Sequence, residues 1–232
     1  MAPDYASIRV TLKTPAAIGK SGHAPVLDSL LLHRLMLIEP DLKWAMAAMP
    51  LARIERAGTG VFACGGGINP SPSSRYEVKP VYRKLMSDRR LLELANPGAP
   101  AVAAKEISSL CGGQLMVSTS SSYSTMWATR LDFRFVGDVD QIMRLMVLDL
   151  CLGPGQSVGM GEIERVDVLD APTDADDAWL LTDPRGRLSR PIPMALGPII
   201  DTKQAWPGMV RVLPPYWMGA SVPGYSPIHA AY

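Results

Sequence analysis

The stretch Leu145–Asp170, LMVLDLCLGPGQSVGMGEIERVDVLD, sets the reading of the whole chain. It opens as an apolar helical run, passes through a loop with glycine at 153, 155, 159 and 161, and closes on a β-like segment. Glycine tolerates positive φ and lets backbone approach an anion closely, so a loop of this kind can aim several amide N–H groups at one phosphate. Gly153, Gly155, Gly159 and Gly161 form that cradle, and Gln156 and Ser157 add side-chain donors. The same spacing also serves an ordinary tight connection. Dinucleotide-binding glycine loops follow a strand and open a helix. Here the order is helix, loop, strand, which argues against NAD.

Outward from that loop, strands show in period-two alternation. Thr129–Val136 sets Leu131, Phe133 and Phe135 against Arg130, Asp132 and Arg134, and Ser7–Lys13 sets Ile8, Val10 and Leu12 against Arg9, Thr11 and Lys13. Asp138 caps a helix that runs through Leu152 to the stop at Gly153–Pro154. Asp28 or Ser29 caps another through Met36, and Asp41 starts a short one to Met49. The alternation of Glu162–Leu169 slips at Ile163, which predicts a bulge or an edge position. Ala52–Ala63 reads as a second strand broken by Gly58 and Gly60, 64–74 as loop, Tyr76–Lys84 as strand, Asp88–Ala95 as helix, and 118–124 as flexible polar chain. The order is βαββαβ, so the expected fold is α+β, ferredoxin-like and RRM-related. It carries an insertion over about 64–128 and spans residues 1–170. Residues 171–232 read as an acidic linker and a Pro-rich extension that packs over the domain or a partner rather than building its own core.

At 232 residues the chain can bury a full core. No apolar run approaches the roughly twenty residues of a membrane span, and the N-terminal sequence MAPDYASIRV has no secretory pattern, so no membrane partner and a cytoplasmic location are expected. Cys64, Cys111 and Cys151 are odd in number and widely spaced, which fits buried thiols rather than a disulfide framework or zinc site. With His23, His33 and His229 the only histidines, no metal or cofactor is expected. The net charge of +1 hides a segregated distribution. Six Arg and Lys face two acids over 75–90, whereas 162–183 holds eight acids against Arg165 alone.

A glycine loop between the last helix and last strand resembles that of the RAMP superfamily of CRISPR proteins. RPIPMAL at 190–196, VRVLPPYW at 210–217 and LDSLLLHRLM at 27–36 resemble segments of one group in it, the subunit that binds the five-prime handle of the CRISPR RNA (crRNA) in type IV effector complexes. The resemblance implies a non-catalytic RNA-binding subunit in which 64–128 is the "thumb". Its partners would be the crRNA handle, the repeated backbone subunit and the large subunit, with target DNA met only indirectly. Relatives often place Lys or Arg in the glycine loop, and GPGQSVGMG has none, so phosphate contacts there would rest on neutral amides.

The basic segment interleaves Tyr76 and Tyr82 with Arg75, Lys79, Arg83, Lys84, Arg89 and Arg90. Cations hold phosphates while aromatic faces stack unpaired bases, although a solvated hairpin shows the same composition. Arg9, Lys13 and Arg134 fall on the outward sheet face, and Lys20 and His23 on the loop after the first strand, so all five join the RNA-binding set. No aromatic pair occupies that face, so RRM-type stacking is not expected. Two enzymatic alternatives exist: a metal-independent endoribonuclease using His23 and His33, and a serine hydrolase, since GQSVG matches G-x-S-x-G at Ser157. The hydrolase needs a strand before that turn and a helix after it, which this order lacks. PPYW at 214–217 is either a docking patch or packs on the protein's own sheet, and the methionines on the helices read as adaptable core filler.

Overall fold

In the computed structural model residues 5–14, 16–18, 25–69, 76–83, 119–126, 129–149, 151–152, 160–216 and 218–228 are described. In chain order the elements are β1 (Tyr5–Leu12), β2 (Ala16–Ile18), α1 (Leu27–Ile38), α2 (Leu42–Ala47), β3 (Arg53–Arg56), β4 (Thr59–Phe62), β5 (Tyr76–Arg83), β6 (Thr119–Met126), β7 (Arg130–Val136), α3 (Val139–Met146), β8 (Ile163–Asp170), α4 (Asp177–Leu181), β9 (Ile192–Pro193), β10 (Ala205–Val210) and β11 (Val222–Pro227). The protein is α+β with antiparallel sheets. It divides into two compact units, one of Met1–Glu77 with Ser124–Tyr232 and the other Val78–Tyr123.

The central sheet has β1 in the middle, with β7 and β8 antiparallel on either side. The alternation read from sequence sets its two faces. Ile8, Val10 and Leu12 of β1 and Leu131, Phe133 and Phe135 of β7 are buried against Leu27, Leu31 and Leu35 of α1 and Ile142, Leu145 and Met146 of α3. Each such side chain stabilises the fold by about 1.5–3 kcal/mol through burial. The expected irregularity in the last strand is present, because the β1–β8 register shifts between Thr11 and Leu12.

The second strand lies elsewhere than expected. Residues 53–62 form a hairpin, β3–β4, turned by Ala57 and Gly58 at positive φ. The partner on the free edge of β7 is instead 63–68, through the bridges Cys64↔Phe135 and Ile68↔Asp132 and the bond from Gly65 N to Arg134 O at 2.9 Å. Glycine hides this strand in the sequence. A Cβ at Gly66 would lie 2.2 Å from the carbonyl oxygen of Ser189, so another backbone packs where a side chain would be. The sheet therefore runs 63–68, β7, β1, β8, and the segment 64–68 belongs to it rather than to the inserted region. Of the stretch 118–124, expected to be flexible, residues 119–124 belong to β6, which pairs with β2 from Ala16↔Met126 to Ile18↔Ser124. The helix expected over 88–95 lies outside the described residues.

The Pro-rich C-terminal segment builds more than an extension. Its strands form a sheet of order β10–β11–β9, and Leu181, Leu188, Ile192, Leu196, Val210 and Val212 bury a second core that includes Val61 of β4. A buried ion pair joins this segment to the first core. Arg190 and Asp28 are both fully buried, with Arg190 Nη2 donating to Asp28 Oδ2 at 2.9 Å. Asp28 is therefore not the cap of α1. Val26 holds the N-cap position without a side-chain bond, and the Asp28 carboxylate turns inward. Arg190 also donates to the carbonyls of Phe62, Cys64 and Val212, while Tyr216 donates its hydroxyl to Asp28 at 2.8 Å. Tyr216 of PPYW thus packs on the protein itself. Burial alone would lower the Arg190 guanidinium, but Asp28 above all holds it above its ordinary value.

Removing one member of such a pair strands an uncompensated charge. Asp28→Ala should therefore cost about 3–5 kcal/mol of unfolding free energy, while the double change Asp28→Leu with Arg190→Met should recover part of that loss. Urea unfolding followed by far-ultraviolet circular dichroism would show it, and an Asp28→Ala midpoint equal to wild type would contradict it.

Candidate nucleic-acid interface

The helix that leads to the glycine loop is α3, capped by Asp138, whose side chain accepts from Gln141 N at 2.9 Å. It ends at Met146 rather than reaching Leu152. Leu148 N closes the helix end on Leu145 O at 3.2 Å, and beyond it the chain is held by Arg34 on α1. Its side chain is fully buried, and it donates from Nη1 to Leu30 O at 3.2 Å and from Nη2 to Asp149 O at 3.1 Å and Cys151 O at 3.4 Å. Those carbonyls turn toward the guanidinium instead of continuing a helical ladder. Asp149 completes the turn by accepting from Cys151 N at 3.1 Å.

The two ends of the loop are tied together. Leu152 N donates to Gly161 O at 2.8 Å, Cys151 bridges Glu162, and Glu162 N donates to the Thr14 hydroxyl at 2.8 Å. Gly161 has φ +71°, and a Cβ there would lie 2.1 Å from Leu152 O. Its glycine is thus required by the root of the loop itself, before any ligand is considered. Gly153, Gly155, Gln156, Ser157 and Gly159 lie outside the described residues, as do Lys20, His23, Arg75, Lys84, Arg89 and Arg90. Lys79, Tyr82 and Arg83 lie on strand β5, within the Tyr76–Lys84 stretch expected to be a strand.

On the outward face of the central sheet the cations are engaged internally. Arg9 Nε and Nη2 both donate to Asp132 at 2.8 Å, a forked pair set up by the cross-strand register Arg9↔Asp132. Lys13 pairs with Glu162 at 2.9 Å in an exposed contact. Arg134 lies over the Trp179 ring, 4.6 Å from its centroid, and donates from Nη1 to the carbonyls of Trp179 and Thr182. Burial lowers its pKa. Helix α4, which carries Trp179, therefore covers part of the face that alternation left open. Tyr5 adds a second tie to α4 through its hydroxyl bond to Asp177, and burial together with that bond pushes its pKa up to about 12.

His33 is 54% exposed, with Nε2 3.7 Å from Asp149 Oδ2, and so stands beside the loop root. Cys64 is buried, and burial pushes its thiol well above the ordinary range, which leaves it protonated and unreactive. Among the described residues no helix is long and apolar enough to cross a membrane, and no cluster of His, Cys, Asp or Glu is arranged to hold a metal.

Arg34 and Asp28 were missed as site-forming residues because each lies on an apolar helix face, and only their buried partners reveal the role. The segments that carry the family resemblance converge in space: Asp28 from 27–36, Arg190 from 190–196, and Val212 and Tyr216 from 210–217 share one hydrogen-bond network.

No protein-family model matches the sequence, and no curated protein matches it. Among solved structures it is similar to a chain in a cryo-EM structure of the type III-B Cmr-beta complex bound to cognate target RNA. The TM-score is 0.34 and the identity 11%, over 72% of this chain and 61% of that one. The match thus spans less than two thirds of that chain's length, and a likeness of this degree carries no argument about fold or function.

Arg9 and Lys13 are already paired, so if the chain binds RNA, neutralising both should lower the log–log salt slope of that binding by well under the roughly 0.7 expected for each true phosphate contact on a single strand. Fluorescence anisotropy across a salt series reads this directly, and a fall of about 1.4, the sum for two contacts, would show that both reach phosphate. Gly161→Ala should destabilise the folded chain by about 1 kcal/mol or more, since it forces a side chain into positive φ and against Leu152. Unchanged thermal stability would contradict that.

Proposed function

We propose that the chain is a non-catalytic RNA-binding subunit of a CRISPR effector ribonucleoprotein. In this reading it is a RAMP-type protein that caps the five-prime handle of the crRNA in a type IV complex and contacts the backbone and large subunits. The observation that carries the proposal is the order of elements. An antiparallel sheet runs 63–68, β7, β1, β8 with α1 and α3 packed on one face, and the glycine loop leaves between α3 and β8. We read that order as the ferredoxin-like split βαββαβ, with the loop where the RAMP resemblance implies it. The convergence of the three resembling segments on Arg190 supports the family reading, since they act as one structural unit rather than as scattered likenesses.

Physically, the loop supplies backbone amides from a root held by Arg34 and Gly161, and the basic segment around β5 supplies cations. Amides fix the position of phosphates, and cations add salt-dependent affinity. A ribonuclease reading has one observation in its favour, the pairing of exposed His33 with Asp149 beside the loop root.

Neutralising Lys79, Arg83 and Lys84 together should reduce the log–log salt slope for guide-RNA binding by about two, at ~0.7 per contact on a single strand. The unmodified chain should leave labelled repeat RNA uncut, and His33→Ala should bind it as wild type does. A wild-type slope in the triple variant would remove the basic segment from the interface. Specific cleavage lost on His33→Ala would replace the binding subunit with the endoribonuclease.

A further inference from the structure

A cleft of about 170 Å³ opens on the outward sheet face, between the sheet and the segment that follows β8. Ile68, Leu169 and Trp179 give it apolar walls, and Ser7, Arg134 and Asp170 give it polar groups, with Asp132 close by on the same face. We propose that this cleft binds a single nucleobase carrying both a ring carbonyl and an exocyclic amino group, that is, guanine or cytosine. The inference deepens the RNA-binding reading and rests on it for the source of the base.

The polar groups are unusually open to a ligand. Ser7 is 6% exposed and lines the cleft from β1. Arg134 is held rigid by its stack on Trp179 and by two carbonyls that both accept from Nη1. Its Nε and Nη2 donate to nothing among the described residues, which leaves a planar donor edge of the kind that meets adjacent acceptors on a base. Asp170 and Asp132 provide the complementary acceptors for an amino group. Adenine has the amino group without a carbonyl, and uracil has carbonyls without an amino group, so each leaves one side of the cleft unmatched.

The surroundings favour a base over a phosphate. Asp132 and Asp170 both line the cleft, while the cations Arg9 and Arg187 are paired with Asp132 and Asp183. A phosphate there would meet carboxylates, whereas an uncharged ring would not.

The test is a titration of the full chain with guanosine, cytidine, adenosine and uridine, followed by chemical shifts of the Trp179 indole N–H or by calorimetry. Guanosine or cytidine should saturate and bind about tenfold or more tightly than adenosine and uridine, the discrimination expected of one well-matched polar edge. The 5′-monophosphate should bind no more tightly than its nucleoside. Ser7→Ala should weaken binding severalfold, and Leu169→Trp, which fills the cleft, should abolish it. Equal binding of all four nucleosides, or none at about 10 mM, would overturn the proposal. Guide RNA bound normally by Leu169→Trp alongside absent nucleoside binding would remove the cleft while leaving the RNA-binding subunit standing. Nucleoside selectivity without any guide-RNA binding would do the reverse.

Discussion

A guanidinium with no exposure has to hand its N–H groups to acceptors, and Arg190 does so across three distant stretches of chain. Asp28 at the start of α1, the 62–64 backbone leading into the edge strand, and the 212–216 turn all bond to it. Burying such a pair is costly in itself, because both ions lose water. What it contributes is register: the C-terminal segment has one place on the first core where every donor finds a partner. The second core then forms against the β3–β4 hairpin, with Val61 packed among Leu181, Ile192 and Val212. Gly66 permits the close approach of the Ser189 backbone that brings Arg190 into place.

Local signals in the sequence carried a long way. Period-two alternation located β1 and β7, Asp41 and Asp138 marked helix starts where they indeed cap, and the slip at Ile163 announced the register shift on β8. Interactions at long range left no such trace. Asp28 and Arg190 are 162 positions apart, and Asp28 beside an apolar run looks like an ordinary cap. The edge strand 63–68 was hidden because its glycines answer to a neighbouring backbone, not to a turn. Past the early end of α3 the chain is held by Arg34, which bonds to the carbonyls of Asp149 and Cys151. Proline content suggested an extended tail, but the strands formed by 192–193, 205–210 and 222–227 place their prolines within a three-stranded sheet.

The same limit shaped the candidate site. Alternation put Arg9 and Arg134 on the outward face correctly, but not the cross-strand register that gives Arg9 to Asp132, nor the fold-back of α4 that lays Trp179 on Arg134. A cation count along the sequence therefore overstated how much positive charge that face offers to phosphate. At the glycine loop the structure defines the root, where Leu152 N bonds to Gly161 O and Glu162 N to the Thr14 hydroxyl. On the proposed RNA-binding reading, positive charge would come from the basic segment around β5, and sequence preference from base contacts rather than from phosphates.

The central claim is that this chain recognises the handle of a guide RNA rather than RNA in general. The most direct measurement is the equilibrium affinity of the intact chain for a guide RNA with its own five-prime handle, against an RNA of equal length with the handle scrambled, at one fixed salt concentration. Phosphate contacts are the same in both, so base-dependent contacts should make the true handle about tenfold or more tighter. Equal affinity for the two RNAs would contradict the account.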